Sequence, residues 1–124
     1  MNAACDWSGP VDVTDMECGE HMSFGPSSPE DALVNSKKDV DPDKYLSVSF
    51  LPYIDKDDVP LIVFHGVKDN VVPCCQGKKL YEALKNLGVK TDITLEPEGG
   101  HGMGMYSAQN LKKMTDFLDA VRTK

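Results

Sequence analysis

The sequence lacks any long uninterrupted run of apolar residues. No stretch of it approaches the roughly 20 apolar residues that a membrane-spanning helix needs. The N-terminus has neither the basic start nor the apolar centre of a signal peptide. We therefore predict a soluble chain without membrane contact, and the sequence leaves its cellular compartment unknown.

Basic clusters are also missing. The 13 Lys and Arg residues are outnumbered by 20 Asp and Glu residues, which gives a formal net charge of -7. The densest basic pairs, at 37–38, 78–79 and 112–113, are isolated from one another along the sequence. Because binding to a phosphate backbone requires a basic face, we predict no nucleic-acid partner.

Cysteine is scarce as well, with only Cys5, Cys18, Cys74 and Cys75. This density is too low for a disulfide scaffold, and the adjacent pair 74–75 is poorly placed to bridge with itself. No C-x2-C pair is followed by a second pair of metal ligands. We predict reduced thiols and no metal site.

Three segments differ in pattern along the chain. Residues 1–13 contain a short strand that runs into a loop at the punctuating Gly9-Pro10. Residues 14–58 form a polar, cap-like connection. It contains one short helix whose N-cap is Ser28, and the remainder is irregular. Residues 59–124 contain almost all the apolar periodicity of the chain.

This last segment predicts alternating strands and helices. Residues 61–64 are continuously apolar, as in a strand buried on both faces, and residues 91–96 alternate as in a half-buried edge strand. Apolar residues recur at helical spacing over 75–87, which Gly88 ends, and again from about 107 to 122. The order strand, helix, strand, helix predicts an α/β fold with a parallel sheet.

Titratable residues occupy both loops that follow the predicted parallel strands. Asp69 lies in HGVKDNVVP after the buried strand, and His101 lies in PEGGHGMGM after the edge strand. Adjacent strands are about 4.8 Å apart, so side chains on these loops can meet at the carboxyl edge of the sheet. A carboxylate beside an imidazole orients the ring and stabilises its protonated form. We therefore predict that Asp69 and His101 form an acid–base pair.

These motifs resemble a known family. The run PLIVFHGVKDNVVP, the helix containing KKLYEALKNLGV and the strand ending in PEGGHG resemble the last third of the α/β-hydrolase fold, in its esterase and lipase branch with feruloyl-esterase-like and acetyl-esterase-like proteins. The resemblance implies that Asp69 is the catalytic acid and His101 the catalytic base. DWSGPVDVTDM resembles the strand and loop that follow the nucleophile helix. The expected fold is thus the C-terminal portion of an α/β-hydrolase, with about three parallel strands, flanking helices and an irregular cap segment.

One part of the family pattern is absent. The sequence contains neither the G-x-S-x-G nucleophile elbow nor the H-G-G-type oxyanion loop. Ser8, in WSGP, comes nearest to the elbow but lacks the helix that should follow it. Because the family order is Ser, Asp, His, we expect the serine to precede residue 1. We predict a fragment of a serine-type hydrolase of small-molecule carboxylic esters that needs no cofactor and is inactive in isolation.

Other interpretations stay open. The chain could be a non-enzymatic α/β binding module, or a peptidase or thioesterase of the same fold. Cys74 and Cys75 lie near a helix start, where a thiol can be activated, although the nucleophile of the fold belongs on the upstream elbow. His65 ends a buried strand and is interpreted as structural, and His21 as solvated.

Two further expectations concern partners and substrate contacts. A first strand that lacks its usual neighbour leaves an exposed edge, which predicts homo-oligomers joined through that strand. Four side chains either line an acyl or aryl pocket or simply pack in the body: Trp7, Tyr53, Met103 and Met105.

Overall fold

The computed structural model describes residues 2–19 and 27–122. Within them lies a three-stranded parallel sheet in the order β1-β2-β3, formed by Ala4–Trp7, Leu61–Gly66 and Thr91–Glu96. Each strand pairs in register with the next, so that Trp7 lies beside Phe64 and Phe64 beside Thr94. The predicted α/β class and its parallel sheet are confirmed.

Two helices cover opposite faces of β2. Helix α3 (Cys75–Asn86) joins β2 to β3 and buries Leu80 and Leu84 against Val63. Gly88 ends this helix region at φ 77, a backbone conformation that favours glycine. Helix α4 (Ala108–Val121) packs Met114 and Phe117 against the other face of the sheet. Both helices lie where the apolar periodicity predicts them.

Strand β2 forms the centre of the core. Ile62, Val63 and Phe64 are at most 1% exposed, and their side chains alternate between the two helix-covered faces. Full burial of such side chains stabilises the fold by about 1.5–3 kcal/mol each. The uninterrupted apolar run in the sequence reflects this two-sided burial.

In its described residues, 8–19 and 27–60, the connection between β1 and β2 contains two short helices and two 3₁₀ turns. Helix α1 (Pro29–Val34) begins with the predicted Ser28 cap, which forms a reciprocal capping box with Asp31. A second helix, α2 (Pro42–Val48), lies inside the stretch predicted as irregular, so that part of the prediction is wrong. It forms because Asp41 caps it and Tyr45 is buried against Val13 and Val34.

The 3₁₀ turns are Val13–Asp15 and Leu51–Tyr53.

Within the described ranges, no helix is both long and apolar enough to cross a lipid bilayer. The structure also places the loops after β2 and β3 at one edge of the sheet, where parallel strands present their carboxyl ends.

Candidate active site

The loop after β2, residues 67–74, is here named the acid loop. Its Asp69 is 3% exposed, and one carboxylate oxygen, Oδ1, accepts hydrogen bonds from the backbone N–H groups of Val71 (3.0 Å) and Val72 (2.9 Å). These bonds are those of an Asp that closes its own turn. They also leave the second oxygen, Oδ2, free to face outward from the turn.

The loop after β3, residues 97–106, is here named the base loop. It places Nδ1 of His101 3.0 Å from Oδ2 of Asp69, so the predicted contact between the two groups is present. The Asp69 side chain is fully buried, whereas 45% of the His101 side chain is exposed. When Nδ1–H donates to the carboxylate, the lone pair on Nε2 is available to accept a proton from another group.

Close backbone packing holds the two loops together. The N–H of Val67 donates to the carbonyl of Glu96, and that of Lys68 donates to the carbonyl of Gly99, both at 2.9 Å. A Cβ atom on Gly66 would lie 2.3 Å from the oxygen of Gly99, so a side chain there would separate the loops. An ion pair between Lys68 and Glu98 joins them at the surface.

His65 lies beside Asp69. It is fully buried, with Nε2 2.8 Å from the carbonyl oxygen of Val72 and 3.6 Å from Oδ2 of Asp69. Because a carbonyl only accepts hydrogen bonds, Nε2 carries the proton and donates it to Val72. This bond fixes the acid loop from below and agrees with the structural interpretation of His65.

A second carboxylate, that of Asp6 near the end of β1, is partly buried. Burial raises the pKa of Asp6, while the charge of nearby His65 and the backbone N–H of Gly9 oppose the rise. Burial also raises the pKa of the Cys5 thiol to about 11, with the Asp6 charge adding to it. Neither group contacts Asp69 or His101 in a hydrogen bond that the structure shows.

The start of α3 holds the loop that follows β1. Gln76 is fully buried, and its Oε1 accepts hydrogen bonds from the N–H groups of Val11 and Asp12. Its Nε2 donates to the carbonyls of Asp12 and Asp15. Lys79, one turn later, lies 2.9 Å from the Asp12 carboxylate and 2.6 Å from that of Asp15.

The pKa of Asp12 lies below its ordinary value. Partial burial alone would raise it, but hydrogen bonds from Thr14 and Lys79 outweigh that effect. Asp12 and Asp15 therefore hold the loop onto α3.

A disulfide bond between Cys18 and Cys75 joins the same two regions, so the prediction of four reduced thiols is wrong for this pair. The two cysteines are 57 positions apart in sequence, and only the packing of the loop on α3 brings them together. Cys5 and Cys74 remain free thiols. Since Cys75 is oxidised, it is not a nucleophile in this structure.

The four candidate pocket residues are distributed between core and surface. Met105 is 1% exposed and packs in the core, and Trp7 stacks on Phe64 with ring centroids 4.1 Å apart. Met103 (78% exposed) and Tyr53 (64% exposed) are open to solvent.

His21 lies outside the described residues. The residues that are described contain no cluster of three or more His, Cys, Asp or Glu side chains that could hold a metal.

Two polar residues that hold this site were not singled out from the sequence. Gln76 resembles an ordinary helical residue in a charged run, and Asn110 lies in the first turn of α4 with nothing unusual around it. Their full burial follows from tertiary packing. A polar residue at an inward-facing helical position is the single signal that could have indicated them.

Taken together, the parallel sheet and the paired acid and base loops define an α/β-hydrolase fold of the esterase type. The sequence matches the family model BD-FAE over residues 1–84, and the chain belongs to that family.

Solved structures support this assignment. A truncated form of a carbohydrate esterase from gut microbiota is 36% identical and superimposes with a TM-score of 0.86, covering 100% of this chain and 44% of its own. A bifunctional GH43-CE protein of Bacteroides eggerthii is also 36% identical, with a TM-score of 0.85 over 99% of this chain and 17% of that one. An acylaminoacyl peptidase of Pyrococcus horikoshii, 20% identical with a TM-score of 0.76, covers 100% of this chain and 21% of its own, and shares the fold.

Curated relatives agree with the structures. Esterase LipQ of Mycobacterium tuberculosis is 26% identical over 98% of this chain and 30% of its own length. The uncharacterized peptidase YuxL of Bacillus subtilis is 29% identical over 60% of this chain and 12% of its own. The chain thus spans less than half the length of each of these relatives.

Proposed function

We propose that this chain supplies the acid and the base of a serine-type carboxylic ester hydrolase whose nucleophile lies on polypeptide outside these 124 residues. The observation that carries the proposal is the 3.0 Å contact between His101 Nδ1 and Asp69 Oδ2, in a His101 side chain that is 45% exposed. The lack of a G-x-S-x-G motif in the sequence supports the absence of the nucleophile.

The geometry suits the two proton transfers of acyl transfer. Nε2 of His101 removes the proton of the attacking serine hydroxyl and then delivers it to the oxygen of the leaving alcohol. Asp69 holds the ring in the required tautomer and stabilises the imidazolium. Because Val71 and Val72 already saturate Oδ1 of Asp69, its Oδ2 stays directed at the ring.

The isolated chain should hydrolyse esters no faster than buffer. Loss of the serine alone costs on the order of a million-fold in turnover of a Ser-His-Asp enzyme. We would measure p-nitrophenyl acetate hydrolysis by the unmodified chain and by His101→Ala. A clear rate in the former that disappears in the latter would reveal a nucleophile within these residues and contradict the proposal.

A chimera tests the roles directly. This chain would replace the equivalent portion of the gut carbohydrate esterase, since all of this chain superimposes on 44% of that protein. The chimera should hydrolyse the ester, and Asp69→Asn should slow it by about 10⁴-fold because the imidazole loses its tautomer control. Asp57→Asn, at a carboxylate that is 78% exposed, is the matched control and should change nothing.

The chimera also separates the alternatives. The curated relatives include a peptidase, so an acyl-amino acid p-nitroanilide would be assayed beside the ester. Faster release from the anilide would indicate peptidase chemistry at the same residues. A folded chimera that hydrolyses neither substrate would favour a binding module.

We also propose that the isolated chain self-associates through β1. Among the described residues β1 pairs only with β2, and Ala4 and Ser8 direct their N–H groups toward that strand. The N–H groups of Cys5 and Trp7 between them therefore point to the open edge, which favours pairing with another strand. Light scattering should show dimers or larger assemblies, and Cys5→Pro should reduce them because it removes an outward donor. A monodisperse monomer at high concentration would contradict this.

A further inference from the structure

Asn110 is a buried polar residue at the start of α4. The residue is 1% exposed, and its Nδ2 donates to Oε1 of Glu96 at 2.7 Å and to the carbonyl of Met105 at 2.8 Å. Glu96 is the last residue of β3, and Met105 is next to the end of the base loop. One side chain therefore joins the two ends of the loop that carries His101.

Around His101 the base loop forms a short turn, in which the N–H of Gly100 donates to the carbonyl of Met103 at 2.9 Å. Its first part is held on the acid loop through Gly99, whose carbonyl accepts from Lys68. Its last part is anchored by Met105, which is buried in the core. The imidazole itself is half exposed, and Asp69 is the hydrogen-bond partner that the structure shows for it. The position of the ring consequently depends on the closure of the loop.

Capping of α4 does not explain Asn110. The helix is capped by Ser107, whose hydroxyl accepts from the backbone N–H of Asn110 at 3.1 Å. The amide side chain of Asn110 is thus free to serve the loop. Nδ2 of Asn110 carries two N–H donors, so one atom can donate to both the Glu96 carboxylate and the Met105 carbonyl. An Asp side chain at this position has the same shape but would repel both oxygens.

We propose that Asn110 is a positioning residue that closes the base loop and so directs Nδ1 of His101 at Asp69. This inference rests on the proposed role of His101 as the base. It assigns no contact with substrate to Asn110. Its consequence is that the tautomer of His101 depends on a side chain that does not touch the ring.

The test is ¹⁵N NMR of the His101 ring in the full chain, at a pH where the ring is neutral. In the unmodified chain the proton should reside mainly on Nδ1, because Asp69 accepts it there. In Asn110→Ala the ratio of the Nδ1–H to the Nε2–H tautomer should fall by roughly fivefold or more, since one lost hydrogen bond shifts an equilibrium by about that factor. Asn110→Asp should lower it at least as far.

A reversal of the hydrogen-bond polarity gives the conservative rescue. In Asn110→Asp combined with Glu96→Gln, the new amide donates to the new carboxylate, and the tautomer ratio should recover in part. Glu96→Gln alone still accepts from Asn110 and should leave the ratio unchanged. Ser107→Ala, which weakens the cap without touching the loop closure, is the matched control.

The outcomes separate this inference from the proposed function. An Nδ1–H tautomer that persists in folded Asn110→Ala and Asn110→Asp would overturn the role of Asn110 and leave the Asp69–His101 pair intact. A mainly Nε2–H tautomer in the unmodified chain would overturn both. If Asn110→Ala does not fold, Glu96→Leu breaks one of the two bonds from the other side, and an unchanged ratio there would overturn the inference.

Discussion

Gln76 offers a quantitative test of how the loop after β1 is held. The change to alanine removes four hydrogen bonds to the backbone, at the N–H groups of Val11 and Asp12 and the carbonyls of Asp12 and Asp15, together with a longer one to the sulfur of Cys18. A buried group left without its partner costs about 1–3 kcal/mol, whereas a group that water can reach costs much less. Val11 is buried, while Asp12 and Asp15 are only partly so. The expected loss is therefore about 3–4 kcal/mol rather than the sum of four full penalties.

That loss is large for a chain of this size. A domain of 124 residues has a free energy of unfolding of roughly 6–19 kcal/mol. Urea unfolding followed by Trp7 fluorescence should show a midpoint lowered by roughly 2 M, given typical slopes. Both proteins should be measured with the Cys18–Cys75 bond intact, so that the disulfide contributes equally.

Two variants sharpen this measurement. Gln76→Glu keeps the acceptor for Val11 but places a carboxylate oxygen against the carbonyl of Asp15, so it should also be destabilising. Glu82→Ala, at an exposed position of the same helix, should change the free energy by less than about 0.5 kcal/mol. A loss below about 1 kcal/mol in Gln76→Ala would refute the reasoning, because it would mean that the loop does not depend on this side chain.

Three further outcomes are expected. Replacement of Cys18 and Cys75 by serine should lower the free energy of unfolding by roughly 4 kcal/mol, the chain-entropy value for a closed loop of this length, and a reducing agent should lower the urea midpoint of the unmodified chain alone. Iodoacetamide at pH 8 should label Cys74 well before Cys5, whose pKa of about 11 leaves roughly a thousandth of it as thiolate, and mass mapping would show the order. Asp6→Asn should stabilise the chain at pH 7, because burial of the charged carboxylate is unfavourable there. The difference in the free energy of unfolding should vanish below the ordinary pKa of Asp, where both side chains are neutral. A gain that is the same at every pH would contradict this.

The parts of the fold that could be predicted are those where local pattern and burial agree. The apolar run of β2 predicts two-sided burial, and Phe64 is indeed fully buried. Ser28, followed by proline and two acidic residues, predicts the start of α1 because capping is a local interaction. The meeting of Asp69 and His101 could be predicted because the parallel topology brings successive loops to one edge.

The parts that were missed depend on contacts between distant residues. Helix α2 also begins with a local N-cap, at Asp41. Its apolar side chains fit no single period, however, because Tyr45 packs inward while Leu46 and Val48 stay exposed. The Cys18–Cys75 bond depends on the docking of the loop on α3, which neither cysteine signals by itself. Asn110 has a role only once β3 and the base loop lie beside it.

The bond between Cys18 and Cys75 closes residues 18–75 into a covalent ring. A peptide bond broken anywhere inside that ring would leave the two pieces attached to each other. Residues 27–58, in the connection between β1 and β2, can therefore be nicked or lengthened at exposed positions without releasing β1 from helix α3. The stretch of chain that differs most in pattern from the rest is thereby free to vary while the two ends it joins keep their places.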